Sequence, residues 1–161
     1  MPFSGESNEA ASPLRAQIRH PRLVRLYDHW EAKRGGRLMP SRADMDPVEL
    51  PFVLGHLLLM DVIGPKPWRF RYRLVGSHLT HRAGRDLTGR FVDELSEADY
   101  RDSVLAWHGW VVENRVPRWG TTKRVIGSKW LEYELLTLPL AKKGGDVDMT
   151  LTGLYYADEP R

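Results

Sequence analysis

The chain has 161 residues, 28% of them charged and 42% hydrophobic, and a formal net charge of +3. That is the size and composition of one soluble globular domain, able to bury about two-thirds of its unfolded surface without a disulfide or a structural metal. Cysteine is absent, which excludes disulfide frameworks, thiolate metal centres, cysteine nucleophiles and cysteine-adduct photochemistry; the charge is too weak to argue for nucleic acid without a focused basic patch.

Residues 1–17 are polar and aperiodic, with Pro2 and Pro13, and are expected to form a flexible leader. They hold no apolar run of signal-peptide length. A flanking helix is expected within 18–36. Pro21 suits a first helical turn, Leu23, Leu26, Tyr27 and Trp30 recur at helical spacing, and Gly35 and Gly36 end the pattern. The main domain then runs over 37–157, with 158–161 as a tail. A second short helix is expected after Asp46, a good N-cap followed by Pro47. The most apolar stretch, Val53 to Ile63, is broken by His56 and Asp61. It falls far short of the roughly 20 residues of a membrane helix, so a cytoplasmic location without membrane contact is the default expectation.

Leu57 to Ile63 reads as a strand covered on both faces, closed by Gly64 and Pro65. From Trp68 to Val75 the residues alternate, with Phe70, Tyr72 and Leu74 toward one face and Arg69, Arg71 and Arg73 toward the other. Gly76, Gly84 and Gly89 punctuate a region of short helical turns, residues 77–98. A longer helix is expected from Asp99 to Asn114, with Val104, Trp107 and Val111 as its apolar stripe. Two further strands follow, Val116 to Ile126 and Trp130 to Leu140. In the second, Leu131, Tyr133 and Leu135 oppose Glu132 and Glu134. A turn over Lys142 to Asp146 leads to a last strand, Val147 to Tyr156, where Val147, Met149 and Leu151 alternate with Asp148, Thr150 and Thr152. Five antiparallel strands with helices grouped between the second and third make an α+β fold.

Few residues suggest chemistry. His78 and His81 could share a metal on a helix, but no third ligand lies nearby in sequence, and no metal site is assigned. Arg69, Arg71 and Arg73, with His81, Arg82, Arg85 and Arg90, could form an anion surface. Glu132 and Glu134 are expected on the same outer face, so a charge-balanced exterior is favoured over nucleic acid. Gly84 to Gly89 lacks the Gly-Lys-Ser/Thr ending of a phosphate loop. The Gly144-Gly145-Asp146 triplet sits in a hairpin turn. No nucleophile–base arrangement or carboxylate pair emerges from spacing, and no catalytic residue is assigned.

The stretch Tyr72-Arg73-Leu74-Val75-Gly76-Ser77-His78-Leu79, followed by Gly84-Arg85-Asp86-Leu87-Thr88-Gly89-Arg90, resembles the passage from second strand to first small helices in a PAS domain. The upstream Pro40 to Pro47 and Leu57 to Val62 resemble a family of small stand-alone bacterial PAS proteins. The resemblance runs from about Tyr27 to Tyr156. It implies a five-stranded antiparallel sheet with short helices and one longer helix on one face, plus the N-terminal flanking helix. It also implies a sensory or protein-interaction module in bacterial signalling, often dimeric and without chemistry of its own.

On that resemblance a small ligand would lie between sheet and helices, lined by Tyr72, Leu74, Leu87, Phe91, Trp107 and Tyr133. Haem, through an axial His108 on the long helix, is disfavoured because aromatic side chains can fill the space. Non-covalent flavin is unsupported, and cysteine-adduct flavin is excluded. Leu23, Leu26, Tyr27 and Trp30 are the candidates for a homodimer interface, at roughly 1.5–3 kcal/mol per large apolar side chain buried. The output would pass to a separate signalling protein. Two alternatives stay open: a ligand-free adaptor whose six Trp and six Tyr fill the core, and a small α+β enzyme, which would need a converging acid/base pair.

Overall fold

The computed structural model describes residues 13–126, 129–142 and 145–161. Helices α1 (Pro13–Gln17) and α2 (Pro21–Arg34) precede strands β1 (Leu57–Ile63) and β2 (Arg69–Val75). Helices α3 (Ser77–Ala83) and α4 (Ala98–Asn114) then lead to β3 (Arg118–Ile126), β4 (Lys129–Leu140) and β5 (Met149–Tyr156). The strands form one sheet in the order β2-β1-β5-β4-β3, with every neighbouring pair antiparallel. Consecutive strands pair within each half, and β5 returns between the halves. The fold is α+β, with α3 and α4 grouped between the second and third strands.

Alternation along the strands gives the sheet two faces. Met60, Thr137, Thr150 and Thr152 point toward α4, while Leu59, Leu136, Leu138 and Leu151 point the other way and are buried there. The cover on that second face is α2. Its N-cap is His20, whose Nδ1 accepts from Arg22 N at 3.1 Å. Its stripe lies directly on β5 at Gly153, where a Cβ would come within 2.6 Å of Leu23 Cδ2 and 3.0 Å of Leu26 Cδ2. Trp30 Nε1 donates to Pro139 O at 2.9 Å. Leu23, Leu26, Tyr27 and Trp30 are thus core residues of their own chain, with at most 6% of their surface exposed. The expected dimer interface through these four side chains is corrected: they are already covered by the sheet they belong to.

The segment entering α2 is tied down by Glu134 of β4. This carboxylate is buried, and its Oε2 accepts from Arg19 N at 2.8 Å, His20 N at 2.9 Å and Trp119 Nε1 at 2.8 Å. Three donors on one oxygen compensate its removal from water. Glu134 therefore does not balance the arginine row. Sheet order sets it away from β2, and the arginines find nearer acids. Asp61 takes Arg71 at 2.9 Å and Arg73 at 3.5 Å, and Asp93 takes Arg69 through two bonds of 2.7 and 2.9 Å.

Three other expected segments differ in the structure. The helix after Asp46 is a single 3-10 turn, Pro47–Glu49, with Asp46 as its cap; Pro51 follows and cannot continue a helix. Of the expected leader, residues 1–12 lie outside the described residues and 13–17 form α1, with Arg15 paired to Asp28. The expected tail packs back on the domain, Asp158 to Arg82 and Arg161 to Arg19 O. The turn over 142–146 falls partly outside the described residues.

Glu134→Ala, which strands three donors, is expected to lower unfolding free energy by about 3 kcal/mol in urea denaturation, with Glu134→Gln losing less because its amide oxygen still accepts. A loss under about 1 kcal/mol for the alanine variant would show that Glu134 does not anchor α2.

Candidate ligand cavity between sheet and helix

Helix α4 crosses the inner face of the sheet and leaves a cavity of about 150 Å³. Its floor is Met60 of β1, Tyr72 of β2, Thr152 and Leu154 of β5, and Tyr133 and Leu135 of β4; Thr122 and Arg124 of β3 close one side. Tyr100, Ser103, Val104, Trp107 and His108 of α4 form the roof. The spacing of those α4 residues is helical and gives them one face. The interior is therefore not completely filled by aromatic side chains.

A chain of polar contacts joins helix and sheet at the back of this space. Trp107 Nε1 donates to Thr137 Oγ1 at 2.9 Å, and the Thr137 and Thr152 hydroxyls lie 2.7 Å apart. His108 Nδ1 lies 3.0 Å from Thr150 Oγ1, and its ring is tilted against Phe70 at 5.7 Å. Threonines that alternate with Met149 and Leu151 are thus interior residues. They satisfy the two α4 rings that would otherwise carry unpaired nitrogens into the core.

Two polar groups at the cavity are less well served. The Tyr72 hydroxyl is buried without a well-formed hydrogen bond, although the Tyr100 phenol is beside it. Burial pushes the Tyr72 phenol far above its ordinary value, so it stays protonated and can donate. Arg124 Nε is buried without a hydrogen-bond partner, and Arg124 has no ion pair among the described residues. Its guanidinium stacks over Tyr100 at 4.7 Å and lies beside the Tyr133 phenol. Burial pushes that phenol up and Arg124 opposes the shift. Among the described residues no carboxylate lines the cavity, and the full charge on its walls is positive.

Of the six residues expected to line the site, Tyr72, Trp107 and Tyr133 do so. Leu74 does not, being 46% exposed. The pairing of β1 with β2 steps from Leu59↔Leu74 to Met60↔Tyr72, leaving Arg73 as an extra residue. A bulge of this kind ends the alternation and turns Leu74 outward. Phe91 lies outside the cavity, beneath the Arg69 guanidinium at 3.8 Å and bridged to Arg71 at the edge of β2. Leu87 is buried in the core but does not reach the lining. Tyr100 and Arg124 were missing from the expected set. An arginine next to Thr121, Thr122 and Lys123 looks like a solvated strand, and only sheet order shows which of its faces is enclosed. His78 and His81 do not form a pair: His78 stacks on His56 at 4.2 Å instead.

His108 is 3% exposed, and burial pushes its imidazole down to about 4. The unfolded chain takes up a proton below about pH 6.5 that the native state refuses, so stability falls as pH drops from about 6.5 toward 4. In His108→Gln the loss of stability between pH 7 and pH 5 should be about 2 kcal/mol smaller than in the parent chain. Equal losses in urea titrations of the two would show that His108 is not held neutral.

No curated protein matches the sequence. Among solved structures, the Rhodobacter sphaeroides LOV protein is similar at 13% identity and a TM-score of 0.48, over 63% of this chain and 58% of that one. This chain thus spans less than two thirds of the length of that LOV protein. The PAS domain of BvgS from Bordetella pertussis is similar at 15% identity and a TM-score of 0.46, over 71% of this chain and 88% of that one. A family model described as PAS domain matches residues 18–156, from the lead into α2 to the end of β5. The whole sheet and both of its helical covers lie inside that match, and the chain belongs to the PAS domain family.

Proposed function

We propose that this chain is a non-catalytic sensory module that binds a small aromatic carboxylate between sheet and helix. The observation that carries the reading is the cavity of about 150 Å³, whose walls hold Arg124, with a buried Nε lacking a hydrogen-bond partner, and no acid among the described residues. A volume near 150 Å³ accommodates a benzene-sized ring. Tyr72, Tyr100, Trp107 and Tyr133 offer ring edges and faces to such a ligand. Arg124 and the Tyr72 hydroxyl are donors, and their buried, unmet capacity favours a ligand that accepts. A carboxylate meets both and supplies the counter-charge.

Signalling then follows from which parts touch the ligand. The roof residues belong to α4 and the floor to the sheet, so a ligand that prefers one seating of α4 shifts the population toward it. A separate cytoplasmic partner of a bacterial signalling system reads the altered surface. No step of bond-making is involved, because no acid/base pair converges among the lining residues.

Benzoate and 4-hydroxybenzoate test the reading, with benzyl alcohol as the uncharged control. At about 100 times its Kd a ligand adds about 2.7 kcal/mol to native stability, which raises Tm by several degrees for a chain of this size. The expected result is a rise with the carboxylates, little with the alcohol, and loss of the carboxylate effect in Arg124→Gln. No thermal shift and no heat of binding with either acid would return the chain to the ligand-free adaptor reading.

A further inference from the structure

A second group of side chains lies away from the cavity, where the C-terminal turn meets α3. His56 ends the 3-10 turn Leu54–His56 just before β1, His78 is the second residue of α3, and Glu159 follows β5. His56 Nε2 lies 3.0 Å and His78 Nε2 3.2 Å from the same oxygen, Glu159 Oε2. One ligand atom from each of the three lies within 4.8 Å of the others. We infer that His56, His78 and Glu159 form a binding site for a divalent transition metal, with Zn²⁺ the best match to two imidazoles and one carboxylate.

The distances suit the chemistry. Ligands held at about 2.0–2.1 Å from a metal are separated from one another by roughly 2.9–3.4 Å. Both nitrogen–oxygen separations already lie in that range. Three protein ligands leave further positions for water or an exogenous donor. His78 is 43% exposed at its side chain, which gives the ion a way in, whereas Glu159 is 9% and His56 16% exposed.

The surroundings hold the three in place. A Cβ on Gly76, just ahead of α3, would come within 2.3 Å of Gly55 O. The turn carrying His56 and the helix carrying His78 are thus in backbone contact. Tyr156 N donates to Glu159 Oε1 at 3.3 Å, and the Tyr155 ring stacks on His56 at 4.1 Å. Arg82 grips Asp158 through bonds of 2.9 and 2.7 Å and fixes the turn beside Glu159. Such outer contacts orient first ligands and support affinity. Metal binding would join the 3-10 turn before β1, α3 and the C-terminal turn at one point.

The test is calorimetric titration of the tag-free full chain with Zn²⁺ at pH 7.5, with Co²⁺ as a spectroscopic stand-in. One ion per chain is expected, with the visible bands of a four- or five-coordinate Co²⁺ site. His78→Ala and Glu159→Gln should each weaken binding about tenfold or more with unchanged circular dichroism, while His81→Ala should bind as the parent does. His78 is partly exposed and Glu159→Gln is isosteric, so both variants are expected to fold. Absence of stoichiometric Zn²⁺ binding, or binding that persists within about twofold in His78→Ala, would overturn the site. The cavity's benzoate response does not enter this test, so the two readings stand or fall separately.

Discussion

A single buried carboxylate ties down the segment that leads into the helical cover of this domain. Glu134 sits on the face of β4 turned away from α4, where it would be costly without partners. It receives Arg19 N, His20 N and the Trp119 indole instead. The backbone leading into α2 is thereby fixed at one place on the sheet, and α2 lays Leu23 and Leu26 into the space that the missing side chain of Gly153 leaves. Both faces of the sheet are then occupied, one by α2 and the other by α4. That arrangement explains why Leu136, Leu138 and Leu140 can all be fully buried on a strand whose opposite face is enclosed as well.

The inner face is organised differently. Where the outer face is closed by the apolar stripe of α2, the inner one combines aromatic side chains with threonine hydroxyls. The Trp107–Thr137–Thr152 contacts and the His108–Thr150 contact set the height at which α4 rides above the sheet. Polar contacts of this kind hold α4 in place without requiring the space beside them to be filled. The cavity lies beside these contacts, and Arg124 enters from the β3 edge. Its shape and a charge without an ion pair among the described residues characterise the interior.

Much of the architecture was legible because period and punctuation agree. Leu57 to Ile63 is apolar apart from Asp61, as a covered strand is, Gly35 terminates α2, and the boundaries of α4 fall within a residue of their expected place. What escaped was information held between strands. Leu74 follows the alternation of β2 in the sequence, but the pairing with β1 skips a residue and reverses it. Glu134 reads as a solvent-facing neighbour of Glu132 until sheet order and α2 place it under cover. Arg124 reads as exterior for the same reason. His56, His78 and Glu159 are far apart along the chain and meet only because β5 returns between β1 and β4. The apolar stripe of α2 was identified correctly as a stripe; which surface it meets depends on the Glu134 tie, which no local pattern contains.

The anchoring of the C-terminus has a mechanical corollary. Arg161 reaches Arg19 O at 3.4 Å and lies 3.9 Å from the Glu134 carboxylate, so the strand that closes the fold and the segment that opens it end at one shared knot. Cutting the Arg161 contacts would therefore loosen the entry to α2 and the turn after β5 together.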